Sequence, residues 1–260
     1  MWQVDFVSTT GTELPSFGCV CSPLVTAEHV YVQAGGGVAK LDKTNGKILW
    51  RSLNDGGGMN GSAFSSPVLA TIRDTLQLVV QTRTRLAGVD LESGHELWGY
   101  DIPAFRGMNI LTPLVVGDSV FTSSYGGKAW MVSIKRNGAQ WQAVESWSNK
   151  SQGYMSSPVV VDQHIYLHLK NQRFTCIHAD TGQERWTTQP FGKYWSMVAN
   201  GDKLLALDQE GELLLLQASP EEFRLSDRRN VGGEAWAHLA VAGSQIFVRT
   251  LDSVKAFQWK

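Results

Sequence analysis

Apolar residues along this chain fall into short runs that alternate with polar ones at every second position, and helical spacing is nearly absent. Period-two alternation sustained over one short run marks a half-buried strand. Clear examples are His29-Val-Tyr-Val-Gln33, Leu76 to Gln81, Ser119 to Ser123 and His164 to His168. Each follows an apolar run introduced by Ser22-Pro23, Ser66-Pro67, Thr112-Pro113 or Ser157-Pro158, and the prolines lie 44, 46 and 45 residues apart. A fixed period of this length is the mark of a repeat architecture.

A third strand follows in each unit and ends in a turn of constant character. It reads Asp42-Lys-Thr-Asn-Gly46, Asp90-Leu-Glu-Ser-Gly94 and His178-Ala-Asp-Thr-Gly182, with Trp50, Trp98 and Trp186 each four residues after the glycine. Glycine accepts the positive φ of a tight turn, and a preceding Asp, Asn, Ser or Thr bonds nearby backbone amides. Four positions on, the tryptophan stands on a defined face of the fourth strand. Repeated there, a ring can dock on the neighbouring unit. Gly46, Gly94 and Gly182 with Trp50, Trp98 and Trp186 are therefore assigned to blade docking, as is Trp147 near the end of a less regular third unit.

The repeat continues in weaker form from Trp195 to about Phe223, and last from Ala237 to Trp259, which lacks a fourth strand. Trp2 to Phe6 has the look of a lone fourth strand. Four strands in each period of some 45 residues predict an all-β, six-bladed β-propeller of four-stranded blades. Its ring is expected to close by the N-terminal strand, Trp2 to Phe6, pairing with the C-terminal blade. The expected blades span 21–56, 65–103, 111–149, 156–190, 195–226 and 235–260 plus 1–7, in one domain covering 1–260.

Composition narrows the function. A chain 43% hydrophobic with a net charge of −1 is neither disordered nor electrostatically suited to nucleic acid. No apolar run approaches the ~18 residues of a spanning helix, and no leader pattern follows Met1. Cys19, Cys21 and Cys176 are too few for a disulfide framework, and their spacing reads as small apolar residues rather than a metal half-site. Ten tryptophans need a common structural reason, and the repeat supplies one for several of them.

These motifs resemble the PQQ-binding-like, quinoprotein-type propeller repeat: Ser-Pro followed by an apolar run, an aromatic-bearing strand, then an Asp/Thr/Gly turn and a tryptophan. The resemblance is strongest from Ser22 to Trp186 and visible to Trp259. It differs from WD repeats, whose Trp-Asp dipeptide is absent, and from kelch repeats, whose Gly-Gly doublet occurs at Gly35-Gly36 without recurring in the other units. The family contains quinone-dependent alcohol dehydrogenases and non-catalytic members, among them an outer-membrane assembly lipoprotein that scaffolds other proteins. It implies a periplasmic or otherwise extracytoplasmic place, with a cytoplasmic variant as the alternative. Against a dehydrogenase, Cys19 and Cys21 are separated by Val20, and no set of Glu, Asn and Asp stands out to hold the calcium ion that polarises the quinone. The first reading is a non-catalytic scaffold that presents a loop-rich face to a protein or peptide. A degenerate PQQ-dependent oxidoreductase and a carbohydrate-binding propeller are the alternatives. No cofactor, metal or nucleic acid is expected, and the protein is read as a monomer.

Candidate chemistry is sparse. His164 and His168 have a helical metal-site spacing, but in a strand four residues separate them by ~13 Å. Gly61-Ser62-Ala63 lacks the second glycine of a nucleophile elbow, and the glycines from 56 to 61 precede no phosphate-loop lysine. Propeller ligands meet the rim formed by blade-to-blade connections and by the turns between second and third strands. That rim is expected to carry Arg106, Asn109, Tyr154, Trp195, Trp236 and His238 as ligand-contacting residues. No catalytic residue is assigned. Trp195 and Trp236 also begin inner strands at equivalent places, which favours packing for both.

Overall fold

The computed structural model describes residues 1–55 and 64–259. The stretch Gly61-Ser62-Ala63 and the glycine run before it lie outside the described residues. The protein is all-β, a six-bladed propeller fold, and each blade is an antiparallel meander in which sequence neighbours are sheet neighbours. It divides into two compact units, residues 1–152 and 153–260.

In the first unit, blade one comprises Leu24–Val25, His29–Gln33, Val38–Asp42 and Ile48–Ser52. Blade two comprises Val68–Ile72, Thr75–Gln81, Arg85–Asp90 and Glu96–Asp101; blade three, Leu114–Val116, Ser119–Ser123, Ala129–Asn137 and Gln140–Asn149. In the second unit, blade four runs through Val159–Val161, His164–His168, Arg173–His178 and Glu184–Pro190, and blade five through Trp195–Asn200, Lys203–Asp208, Glu212–Gln217 and Arg224–Asn230. Blade six has three strands, Ala240–Ala242, Gln245–Arg249 and Val254–Gln258.

The repeated turn forms as the sequence predicts. Asp42 Oδ1 accepts from the amides of Thr44 and Asn45, and Asp90 Oδ1 from those of Glu92 and Ser93. These bonds hold both carboxyls below the ordinary carboxylate range, the hydroxyls of Thr44 and Ser93 contributing most. In blade four the ring of His178 takes the carboxylate's place, its Nδ1 accepting from Asp180 N. Gly46, Gly94 and Gly182 close these turns at φ of 76°, 74° and 69°, where a side chain would be strained.

The tryptophan reaches its neighbour because of a β-bulge. Lys40, Gly88, Met131 and Cys176 on the third strands stand opposite Trp50, Trp98, Trp147 and Trp186, and the register shifts immediately afterwards in all four blades. A bulge turns the strand and re-aims its side chains. Trp50 then lies over Gly94 of blade two, where a Cβ would come within 2.8 Å of its ring, and donates from Nε1 to Leu91 O at 3.0 Å. Lys40, itself buried, donates to the same carbonyl at 2.8 Å. Trp186 likewise donates to Ser219 O of blade five at 2.9 Å. Trp98 departs from the pattern: opposite the small Gly88 its ring turns inward and donates to Gln77 of its own blade. Its ring still joins Val120, Trp130, Val132 and Ile134 of blade three in one buried cluster. Trp147 packs on Phe121 at 5.9 Å.

The N-terminal segment is a correction to the sequence reading. Residues 1–5 form no strand, Phe6–Thr10 is a short helix capped by Asp5, and blade six stays three-stranded among the described residues. Trp2 instead repeats the docking geometry. It lies over Gly46 and donates to Lys43 O at 2.9 Å, the relation that Trp50 has to Gly94 and Leu91. One indole bonded to the turn and packed on glycine is enough to anchor the segment without sheet pairing.

The core lies mainly between blades. Tyr31 and Val38 of blade one meet Leu78, Val80 and Val89 of blade two, and Tyr166, Phe174 and Cys176 of blade four meet Trp195, Met197 and Leu214 of blade five. Sheets packed face to face in this way bury both faces, which is why the second and third strands read as near-continuous apolar runs.

Candidate functional site

The connection between blades two and three is fixed by the turns on either side of it. Asn109 is buried and its Nδ2 donates to the carbonyls of Thr82, Arg83 and Ile102 at 3.2, 2.9 and 3.3 Å. On the other side Phe105 N donates to Tyr125 O, and Ser124 Oγ donates to Pro103 O at 2.7 Å. Asn109 therefore clamps the loop and does not face a ligand. Held between these anchors, Arg106 adopts φ 53° and ψ 28°, a left-handed conformation uncommon outside glycine. Its guanidinium lies 5.2 Å from the centre of the Phe105 ring, which packs against Tyr125 at 6.0 Å. Phe105 is 53% exposed and Arg106 is exposed. An arginine and an exposed phenylalanine on a pre-set backbone form a compact contact point of the kind that dominates protein interfaces.

Surrounding charge reinforces it. The turn 82–85, the connection 102–112, the turn 124–128 and the segment 149–152 carry Arg83, Arg85, Arg106, Lys128 and Lys150 and no carboxylate. Arg85 is neutralised by Glu96 and Asp101, both at 2.6 Å. Arg106, Lys128 and Lys150 are exposed on these loops, with Glu145 close to Lys128 and held below the ordinary carboxylate range first by the Tyr100 hydroxyl and in part by that lysine.

The second unit carries a different surface. Tyr154, Tyr194 and Trp236 come from the connections before blades four, five and six, and their rings touch in series. Tyr154 stacks near Tyr194 at 6.3 Å and 23°, and Tyr194 meets Trp236 at 4.9 Å. Trp236 is 55% exposed, with Nε1 donating to Glu234 Oε1 at 2.7 Å. His238 is also exposed, just beyond this row.

Trp195 does not share that surface. It is 2% exposed, stacked on His168 at 5.1 Å and 5° and packed against Phe174 and Phe191. It plugs the space between blades four and five, so its expected place on the rim is not where it lies; the equivalence with Trp236 in sequence ends at burial. Phe105, Tyr125 and Glu234 belong to these surfaces without having stood out in the sequence. Phe105 adjoins Arg106 in a connection with no apolar period, a signal that an exposed aromatic had a role other than core.

Among the described residues no three of His, Cys, Asp and Glu gather to hold a metal ion. Cys19, Cys21 and Cys176 are free thiols, and burial pushes those of Cys21 and Cys176 up to about 11 and about 12. No helix among the described residues is long and apolar enough to cross a membrane.

A bladed fold with a docking tryptophan in the repeat defines a PQQ-like repeat propeller. The sequence profile described as "Outer membrane protein assembly factor BamB" matches residues 1–188, and the chain belongs to that family. It is 22% identical over 229 residues to the outer membrane protein assembly factor BamB of Yersinia pestis, covering 84% of this chain and 56% of that relative. The chain thus spans about half the length of the curated relatives it matches. In structure it is similar to BamB from Moraxella catarrhalis, with a TM-score of 0.68 at 16% identity over 92% of this chain and 69% of that one. It is also similar to the quinohemoprotein alcohol dehydrogenase of Comamonas testosteroni, with a TM-score of 0.64 at 13% identity over 95% and 55%. At such identities both likenesses show the fold alone.

Proposed function

We propose that this protein is a non-catalytic scaffold of outer-membrane protein assembly, working outside the cytoplasm and holding a protein partner on the rim around Phe105 and Arg106. The observation that carries this reading is the Arg106 loop itself: an exposed arginine on an exposed phenylalanine, its backbone held left-handed between the anchors at Asn109 and Tyr125. An acidic segment of the partner fits it, because Arg106 can pair bidentately with a carboxylate while Phe105 covers the pair from water. The family, that of the outer membrane protein assembly factor BamB, supports assembly work at the outer membrane. Against the quinoprotein alternative, the separated thiols of Cys19 and Cys21 do not offer the vicinal disulfide common in that group.

The test is capture of envelope proteins from the source cell on the immobilised chain. Arg106→Glu and Phe105→Ala are expected to lose a partner that Lys135→Glu, on the outer hairpin of blade three, retains. Equal capture by all three variants overturns the assignment. Titration with PQQ and calcium while following quinone absorbance gives no spectral change on this reading.

A further inference from the structure

The row of rings in the second unit points to a second ligand, distinct from the partner proposed at Arg106. Tyr154, Tyr194 and Trp236 arise on three successive blade connections, the first pair of rings nearly parallel at 23° and the second tilted at 55°. The adjoining Met155 is 38% exposed. The polar groups beside the row already satisfy one another. Gln209 Nε2 and Trp236 Nε1 both donate to Glu234 Oε1, at 2.6 and 2.7 Å, and Gln209 Oε1 accepts from Lys193 N at 3.1 Å. A sugar chain, read through its many hydroxyls, meets few unengaged partners there. What the row offers is ring faces.

At one end of the row carboxylates outnumber cations, the latter being Lys193 and Lys255, and Lys255 Nζ donates to Val231 O and Gly232 O at 2.8 Å. The turn 209–211 and the turn 250–253 both bond to the connection that bears Glu234, through Ala235 N to Gln209 O and Leu251 N to Glu234 O. Exposed carboxylates of Glu210, Glu234 and Asp252 therefore share this end. Lys193 stands on Tyr194, its Nζ 5.3 Å from the ring centre.

We infer that the Tyr154, Tyr194 and Trp236 face binds a proline-rich segment in the polyproline II conformation, with a lysine or arginine next to its prolines. Proline-rich segments dock on aromatic-lined grooves because their extended helix is already formed, so little entropy is lost. The prolines lie across the ring faces, and the basic residue falls at the Glu210, Glu234 and Asp252 end.

The test is calorimetric titration of the full chain with a decaproline peptide carrying one arginine at its end. Two other probes are a glycine-serine peptide with the same arginine and a chito-oligosaccharide. The decaproline binds and the other two do not. Trp236→Ala, an exposed change, weakens that binding about thirtyfold, as the loss of an aromatic hot spot does. Glu210→Gln with Asp252→Asn weakens the arginine-bearing peptide while leaving an uncharged decaproline unchanged. Binding of the oligosaccharide instead, no binding of the decaproline, or equal binding by Trp236→Ala overturns the inference. Neither result touches the Arg106 rim, which Arg106→Glu tests separately.

Discussion

The last residue of the second strand is polar and buried in blades one to five, as Gln33, Gln81, Ser123, His168 and Asp208, yet Gln33 and Gln81 of the first unit and His168 of the second use that position differently. In the first unit Gln33 Nε2 donates at 2.8 Å to Gln81 O of the next blade, and Gln81 Oε1 accepts at 2.8 Å from Thr122 of the blade after. An amide at this place links one blade to the next. In blade four of the second unit the position belongs to His168, which is stacked flat on Trp195, and neither His168 Nε2 nor Trp195 Nε1 has a hydrogen-bond partner. The repeat thus fixes where a polar group is buried, while its chemistry varies from polar linkage to aromatic packing. A titratable group in place of an amide makes one unit acid-sensitive at a point where the other is not.

The largest expected effect comes from Trp195→Ala. Emptying a site enclosed by His168, Phe174 and Phe191 costs about 3–5 kcal/mol, read as a lower urea midpoint in equilibrium unfolding. A loss below 1 kcal/mol would mean that the plug is not part of the core.

Acid sensitivity is next. Burial pushes the His168 imidazole down to about 4 from its ordinary 6.5, so between those values the unfolded chain binds a proton that the folded one refuses. Stability from this group is complete above pH 6.5 and is lost as pH falls towards 4, by roughly 3 kcal/mol at 1.36 kcal/mol per pH unit. His168→Gln, which brings the residue of blades one and two to this place, removes that slope in denaturation curves taken across the range. A variant as steep as the parent contradicts the comparison.

Gln33→Leu tests the other side. It removes the donor to Gln81 O and Ser65 O and leaves buried carbonyls unpaired, a cost of about 1–3 kcal/mol with no dependence on pH. The smallest change is Trp236→Ala, within about 0.5 kcal/mol as for other exposed sites. Its stability alongside the collapse of Trp195→Ala separates two tryptophans that sequence places at equivalent points.

That separation shows what the sequence could and could not carry. The proline spacing and the glycine-to-tryptophan interval expose the blades because each is local, set by one turn and one strand. Trp147 falls outside the interval because the hairpin of blade three is longer; its place near the end of the third unit suggests docking, and the bulge after Met131 gives it the register of Trp50. At the same register in blade five stands Asp227, opposite Leu215, so the weakness of the fifth repeat reflects a real loss of the docking ring. Trp2 reads as a strand because its residues match a fourth strand, but a strand needs a paired neighbour and docking does not. The contact surfaces were less legible still. Arg106 and Asn109 are three residues apart, yet one is exposed and the other is the clamp beneath it, a distinction made by carbonyls more than twenty residues away at Thr82 and Arg83.

The central claim is that the Arg106 rim meets a protein. A photo-crosslinking residue placed at Phe105 in the living source cell tests it most directly, with the same residue at Gly138, on the outer hairpin of blade three, as the comparison. The account predicts one discrete protein adduct from position 105, lost when Arg106→Glu is added, and none from position 138. No adduct from 105, or the same adduct from both positions, would contradict it.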